Sequence, residues 1–246
     1  MTPSLPEILE QQKAYYRARA TEYDQWFYRQ GRYDQGAAHT QQWQLEVAHV
    51  RQQLYDLQLN GQVLELAAGT GIWTQELIRM ADQVTALDYA PEVLEINRHK
   101  LNSERVDYLQ ADLFAWQPTQ KYDGLFMGFW LSHVPLEKLD SFLANVAQAL
   151  KPQGKFFMVD SFAASTSTAK DLTQNLSQTL AQRGEIHETT LAQETVLRRL
   201  NDGQEFHIIK HYHQPNFLQA RFKAHGLDVT MQQTEQFFIY GAGLMC

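Results

Sequence analysis

Cysteine is almost missing from this chain of 246 residues. The single one, Cys246, is the last residue. That excludes an intrachain disulfide and a cysteine-built metal site. Proline and glycine are sparse as well, at 7 and 13, so collagen-like and low-complexity chains are excluded. Basic residues are too few for an electrostatic nucleic-acid partner. Lys+Arg is 21 against 28 Asp+Glu, a net charge of −7, and no basic cluster stands out to neutralise a phosphate backbone. Long apolar runs are absent too. Gly124–Leu131 is the longest, far short of the roughly 20 residues a membrane helix needs. Residues 1–20 show no apolar stretch of a secretory leader. The expectation is a cytoplasmic protein without a membrane or nucleic-acid partner, monomeric or dimeric.

What is present is core-forming material. Hydrophobic residues make up 44% and aromatics 12%, which rules out intrinsic disorder and is enough for a full core without staples. Glutamine is abundant, with 29 residues, a polar helix-compatible surface without evident chemistry.

Residues 1–60 read as helical. Tyr16, Arg19, Tyr23 and Trp26/Phe27 recur at helical spacing as one aromatic face. A second amphipathic helix covers His39–Leu59, stopped by Asn60-Gly61. The period then changes. Strands are predicted at Val63–Ala67, Gln83–Leu87, Val106–Leu109, Tyr122–Gly128 and Lys155–Val159. Helices are predicted at Ile72–Met80, Glu92–Leu101 and Leu136–Leu150. Strands alternating with helices imply βαβ units and a parallel sheet. In the tail, Thr195–Leu200 and Glu205–His211 flank Asn201-Asp202-Gly203 as a β-hairpin. Pro215–Ala224 is a helix. Leu227–Gln233 and Gln236–Tyr240 are final strands, read as antiparallel. Residues 162–213 therefore form an insertion.

Val63-Leu-Glu-Leu-Ala-Ala-Gly-Thr-Gly71 carries the chemistry. An apolar strand runs into a glycine turn, and a helix starts at once. Glycines allow close backbone approach to a ligand, and helix-start N–H groups face whatever binds. Asp88 ends the next strand, where a carboxylate holds ribose hydroxyls. A dinucleotide fingerprint fails, because Thr74 stands where the third glycine belongs. Glu65 would repel a pyrophosphate yet suit a cationic amino-acid end, which points to S-adenosylmethionine.

The stretch Val63–Gly71 resembles the first motif of class I S-adenosylmethionine-dependent methyltransferases, with Ala67 where the family usually has glycine. Further landmarks follow in order. Asp88 resembles the ribose-binding acid. Gln110-Ala111-Asp112-Leu113 resembles the motif whose Asp receives the adenine amino group. Phe129–Pro135 resembles the loop after strand four, and Lys151-Pro152-Gln153-Gly154 the turn before strand five. The resemblance implies a doubly wound α/β fold with a seven-stranded, mostly parallel sheet. Residues 1–60 would add a helical cap. Residues 61–246 would form the methyltransferase domain, with 162–213 part of the acceptor pocket. The segment with Tyr15, Tyr16, Tyr23 and Arg32 is similar to cap helices of small-molecule methyltransferases, where Tyr and Arg meet the cofactor carboxylate.

The expected function is methyl transfer from S-adenosylmethionine to an O, N or C nucleophile of a small molecule, leaving S-adenosylhomocysteine. Expected cofactor contacts are Tyr16, Tyr23, Arg32, Glu65, Ala67, Gly69, Thr70, Gly71, Asp88, Tyr89, Asp112, Leu113 and Phe129. Expected substrate contacts are Trp26, Trp130, His133, Arg199 and His207. His133 is the candidate general base, since imidazole takes a proton near neutral pH. His207, His211 and His213 share a strand face but lack a clear carboxylate or Cys partner, so no metal is expected. Arg198 or Arg199 could meet an acidic substrate group. A nicotinamide-dependent oxidoreductase and a non-catalytic S-adenosylmethionine-binding protein remain alternatives.

Overall fold

The computed structural model describes residues 3–162 and 195–246. The expected insertion at 162–213 therefore lies largely outside the described residues, as does everything assigned to 163–194. Helix α1 (Leu5–Ala18) begins in a capping box: the Ser4 backbone N–H and hydroxyl both meet Glu7 Oε2, at 2.7 and 2.8 Å. The aromatic face expected to run unbroken is split by a turn. A short α2 (Tyr23–Phe27) follows, then a 3-10 turn over Gly31–Tyr33 and α3 (Ala37–Leu57). Helix α3 ends because Gln58 turns left-handed at φ 56°, ahead of Asn60-Gly61.

Strands β1 (Gln62–Leu66), β2 (Gln83–Asp88), β3 (Val106–Gln110), β4 (Tyr122–Gly128) and β5 (Leu150–Ser161) are parallel where they pair. Helices α4 (Thr74–Leu77), α5 (Pro91–Leu101), α6 (Leu136–Ala149) and α7 (Pro215–Ala224) connect and cover them. Helix α4 is shorter than expected. Strands β8 (Leu227–Gln233) and β9 (Phe238–Met245) close the sheet, β9 antiparallel to both β5 and β8. Among the described residues the sheet has seven strands, ordered β3-β2-β1-β4-β5-β9-β8. The hairpin β6 (Thr195–Arg199) and β7 (Glu205–Ile209) stands apart from it. No described helix is long and apolar enough to cross a membrane.

Strand periodicity sorts the core into two layers. Leu64, Leu66, Leu125, Met127, Phe156 and Met158 face α6 and α7. Val63, Phe126, Phe157 and Val159 face the other way, onto Trp43, Val47, Val50 and Leu54 of α3. Helix α3 thus packs on the sheet, although it lies inside the segment expected as cap. Helix α1 instead packs on the hairpin, Tyr15 meeting Leu200 and Ile208. Gln12 joins the two: its Nε2 donates to His133 O at 3.1 Å, and its Oε1 accepts Ile209 N–H at 3.0 Å.

Glu46 ties α3 to the turn between β8 and β9. It is buried, and its carboxylate accepts the backbone N–H of Gln236 and Phe237 at 3.1 and 2.9 Å, and the Thr234 hydroxyl. Replacing it leaves buried donors unmet, so Glu46→Ala is expected to destabilise by about 2–3 kcal/mol. Glu95→Ala, which opens only exposed contacts, with Arg98 and His99, should cost roughly 0.5 kcal/mol or less. Urea denaturation of both variants checks this.

Candidate active site

The sheet order reverses between β1 and β4, and in open α/β sheets ligands bind outside the strand ends at such a point. A cleft of about 740 Å³ opens there, lined by Ala67, Gly69, Asp88, Tyr89, Asp112, Leu113, Phe114, Phe129 and Trp130, with Gln12, Lys13, Tyr16 and Tyr23 closing it from the cap. The backbone of the β1 turn is built for close approach. Ala67, Gly69 and Gly71 all have positive φ, at 56°, 53° and 88°. At Gly71 a Cβ would sit 2.6 Å from Asn97 Oδ1, so only glycine fits.

Asp88 holds this turn from the end of β2. Its Oδ2 accepts Gly69 N–H at 2.9 Å and its Oδ1 accepts Ala90 N–H at 3.0 Å. Its position in the cleft wall raises the carboxyl above the usual aspartate range, against the pull of those amides. Asp112 follows β3. Its Oδ1 accepts Phe114 N–H at 3.0 Å, and its Oδ2 lies 2.7 Å from Lys13 Nζ of α1. Lys13 also stands 5.1 Å over the Tyr89 ring. Neither Lys13 nor Gln12 was among the expected site residues, since nothing in local sequence connects α1 to the end of β3.

A second cavity, of about 600 Å³, adjoins the first and shares Tyr16, Tyr23 and Phe129 with it. Its described lining holds Arg19, Arg198, Arg199 and Lys210 together with Tyr15, Tyr33 and Tyr212, and no Asp or Glu. Trp26, His133 and Arg199, named above as expected substrate contacts, line this cavity. Trp130 does not: it lines the first cavity, against Phe114.

Several expected contacts are placed elsewhere. Arg32 is half-buried, lines neither cavity and donates Nη1–H to Arg199 O at 2.6 Å. Arg19, an arginine on the aromatic stripe, is the cap guanidinium that reaches a cavity instead. That placement, a cation within an apolar stripe, is the sequence signal that marks it. His207 lines neither cavity; its backbone N–H and ring Nδ1 meet Gln11 Oε1 at 2.9 and 3.2 Å. Thr70 turns away to Asp24, donating to Oδ1 at 2.5 Å, and Lys100 completes that link at 2.7 Å from Oδ2. No metal-holding group of three or more His, Cys, Asp or Glu occurs among the described residues.

His133 is unsuited to the expected role of base. Its Nδ1 lies 2.7 Å from Ile209 O, a carbonyl that can only accept, so Nδ1 carries the proton. Burial, aided by the positive field of Lys210, Arg198 and Arg19, pushes the imidazole well below its ordinary value. The ring is therefore neutral, and Nε2 accepts the Tyr16 hydroxyl at 2.7 Å. Both nitrogens are engaged. What His133 does is fix Tyr16 at the junction of the two cavities.

Glu65 lies inside β1, 1% exposed, with Oε2 lacking a partner among the described residues. Burial, reinforced by the Asp88 charge and opposed by Thr74, pushes its carboxyl up to about 8. Since this is above the ordinary glutamate value, the folded state holds a proton that the unfolded state releases. That contribution is complete at low pH and is lost as pH rises toward 8. Glu65→Gln cannot ionise. Its melting temperature relative to the unsubstituted chain should therefore climb between pH 5 and pH 8; a constant difference would contradict the assignment.

Comparison with known proteins agrees with this geometry. Residues 63–154 match the family model described as a methyltransferase domain. The ubiquinone biosynthesis O-methyltransferase of Xanthomonas euvesicatoria pv. vesicatoria (strain 85-10) is 38% identical over 108 residues, 42% of this chain and 44% of that protein. Its counterpart in Xanthomonas oryzae pv. oryzae (strain PXO99A) is 34% identical over 100 residues, 39% and 41% of the two chains. The match thus spans less than half the length of these curated relatives. A solved complex of DhpI with SAM and HEP is similar over nearly everything, at 32% identity and a TM-score of 0.74, covering 98% of this chain and 99% of that one. With that whole-length similarity, the chain belongs to the class I S-adenosylmethionine-dependent methyltransferases.

Proposed function

We propose that this protein transfers a methyl group from S-adenosylmethionine to an oxygen of a small molecule. The observation that carries the reading is the pair of adjoining cavities. One is a cleft of apolar walls with two strand-end carboxylates; the other is lined by cations and tyrosines; Tyr16, Tyr23 and Phe129 stand between them. The first fits the cofactor. Asp88 suits the ribose hydroxyls and Asp112 the adenine amino group, between the apolar surfaces of Tyr89, Leu113 and Phe129. Ala67, Gly69 and Gly71 shape a turn that permits close contact. Oxygen is favoured because the relatives from Xanthomonas are named O-methyltransferases. DhpI, similar over its whole length, is solved with SAM and with SAH.

When bound, S-adenosylmethionine supplies a methyl already activated on a sulfonium, so the chain's task is placement. Lys13, Tyr16 and Tyr23 cover the cleft from the cap and exclude water. The aromatic faces of Tyr16, Tyr23 and Phe129 suit a cationic sulphur at the junction. Placement there of an acceptor oxygen in line with the methyl–sulfur bond, at roughly 3–3.5 Å, supplies the rate enhancement. The net charge of −7 and the second cavity beside the cleft fit a small-molecule acceptor better than a nucleic acid, and a cytoplasmic setting suits both.

Asp88→Ala should weaken S-adenosylhomocysteine binding by about 10- to 100-fold, the loss of charged hydrogen bonds to two hydroxyls. Isothermal titration calorimetry on a variant with a normal circular dichroism spectrum measures it. Unchanged affinity would remove the cofactor reading.

A further inference from the structure

Arg19 is 8% exposed. Its guanidinium lies against the rings of Tyr15, Tyr23, Trp26 and Tyr33, with centroids 5.2–5.8 Å away. Among the described residues it makes no side-chain hydrogen bond and no ion pair, and its Nε is buried without a partner. Arginine cannot shed its proton, and a buried charge without a counter-ion is costly. Arg198 lines the same cavity and likewise has no carboxylate partner among the described residues.

Lys210 adds a third cation, 5% exposed, but it is compensated. Its Nζ donates to Ser132 Oγ at 2.7 Å and lies 3.5 Å from Asp160 Oδ1. Asp160 is itself held by the Ser132 N–H and hydroxyl at 2.8 and 2.7 Å. Arg199, at the rim, is paired with Glu205. Three cations therefore crowd one cavity, and Asp160 offsets one of them. The other two, Arg19 and Arg198, await negative charge.

Resting on the reading of this cavity as the acceptor side of a methyltransferase, we propose that the acceptor is a small dianionic oxygen acid, held by Arg19 and Arg198 and methylated on an ionised oxygen. Phosphates and dicarboxylates share this chemistry, and the planar guanidinium matches either in bidentate fashion. An ionised oxygen attacks directly. The O–CH3 bond forms as the methyl–sulfur bond breaks, the electron pair of that bond remains on sulfur, and no proton is removed. This accounts for a cavity in which His133 is neutral and already bonded on both nitrogens. The step also takes the acceptor from two charges to one, which leaves one guanidinium uncompensated. The ester therefore binds more weakly than the acid and leaves after one methylation.

The test is calorimetric titration of the full chain, alone and saturated with S-adenosylhomocysteine, with three probes: inorganic phosphate, malonate and the neutral isostere malonamide. Phosphate or malonate should bind and malonamide should not. Arg19→Gln should weaken that binding roughly tenfold or more while S-adenosylhomocysteine affinity holds. Arg198→Gln, on the half-buried hairpin strand, should act the same way and remains informative if Arg19→Gln fails to fold. Equal binding of malonate and malonamide, or binding of neither anion, overturns the proposal. So does an S-adenosylhomocysteine affinity that falls in step with Arg19→Gln, because the cofactor carboxylate is then the missing anion. Failure of the unsubstituted chain to bind S-adenosylhomocysteine at all would instead remove the cofactor reading, and the titration of the chain alone would still decide the anion site.

Discussion

The position of Asp88 is the constraint on which the rest of the site depends. One carboxylate at the end of β2 accepts the amide of Gly69 and so sets the path of the turn after β1. That turn carries three positive φ values, at Ala67, Gly69 and Gly71, a path that L side chains resist. The strain is tolerable because the sheet beneath is buried and registered on both sides, Leu64 facing Thr85 in β2 and Leu125 in β4. The sheet order reverses at the same place, and a cleft opens outside it. Fixing the turn fixes the floor of the cleft.

Over that floor the chain builds a roof from distant segments. Helix α1 and the β6–β7 hairpin are joined through Gln12, which donates to the His133 carbonyl and accepts the Ile209 N–H. His133 then holds Tyr16 at the junction of the two cavities. A histidine that reads as a base in isolation becomes a strut once its surroundings are counted. Low dielectric and three nearby cations keep it neutral, and a neutral imidazole with both nitrogens bonded has nothing left to give a substrate. The same cations make the second cavity a receptor for negative charge. Structure and electrostatics thus divide the labour: apolar walls and carboxylates on one side, guanidinium and ammonium groups on the other.

Much of this was legible in the order of residues. The switch from helical to strand periodicity after Gly61, the glycine turn and the strand-end acids Asp88 and Asp112 are local patterns. Each acts on neighbours a few residues away, so the α/β architecture, the parallel core and the cleft at the end of β1 follow from the sequence alone. The antiparallel closing strands and the hairpin follow likewise from turn chemistry. The break between α1 and α2 was less legible, because an aromatic stripe at helical spacing persists across it.

Tertiary structure alone decided which side chains meet. Lys13 reaches Asp112, and Lys210 reaches Ser132 across 78 residues of chain. Arg19 rather than Arg32 enters the cavity, while Arg32, in the 3-10 turn beyond α2, donates to Arg199 O instead. Proximity, burial and protonation belong to the packed molecule: periodicity says which face a residue occupies, while only the fold says what stands opposite. The sequence by itself determined an α/β core carrying the landmarks of a methyltransferase and the strand ends at which its cleft opens. The fold decided that the neighbouring cavity is positive and that His133 is held neutral within it, because charge and desolvation act through space rather than along the chain.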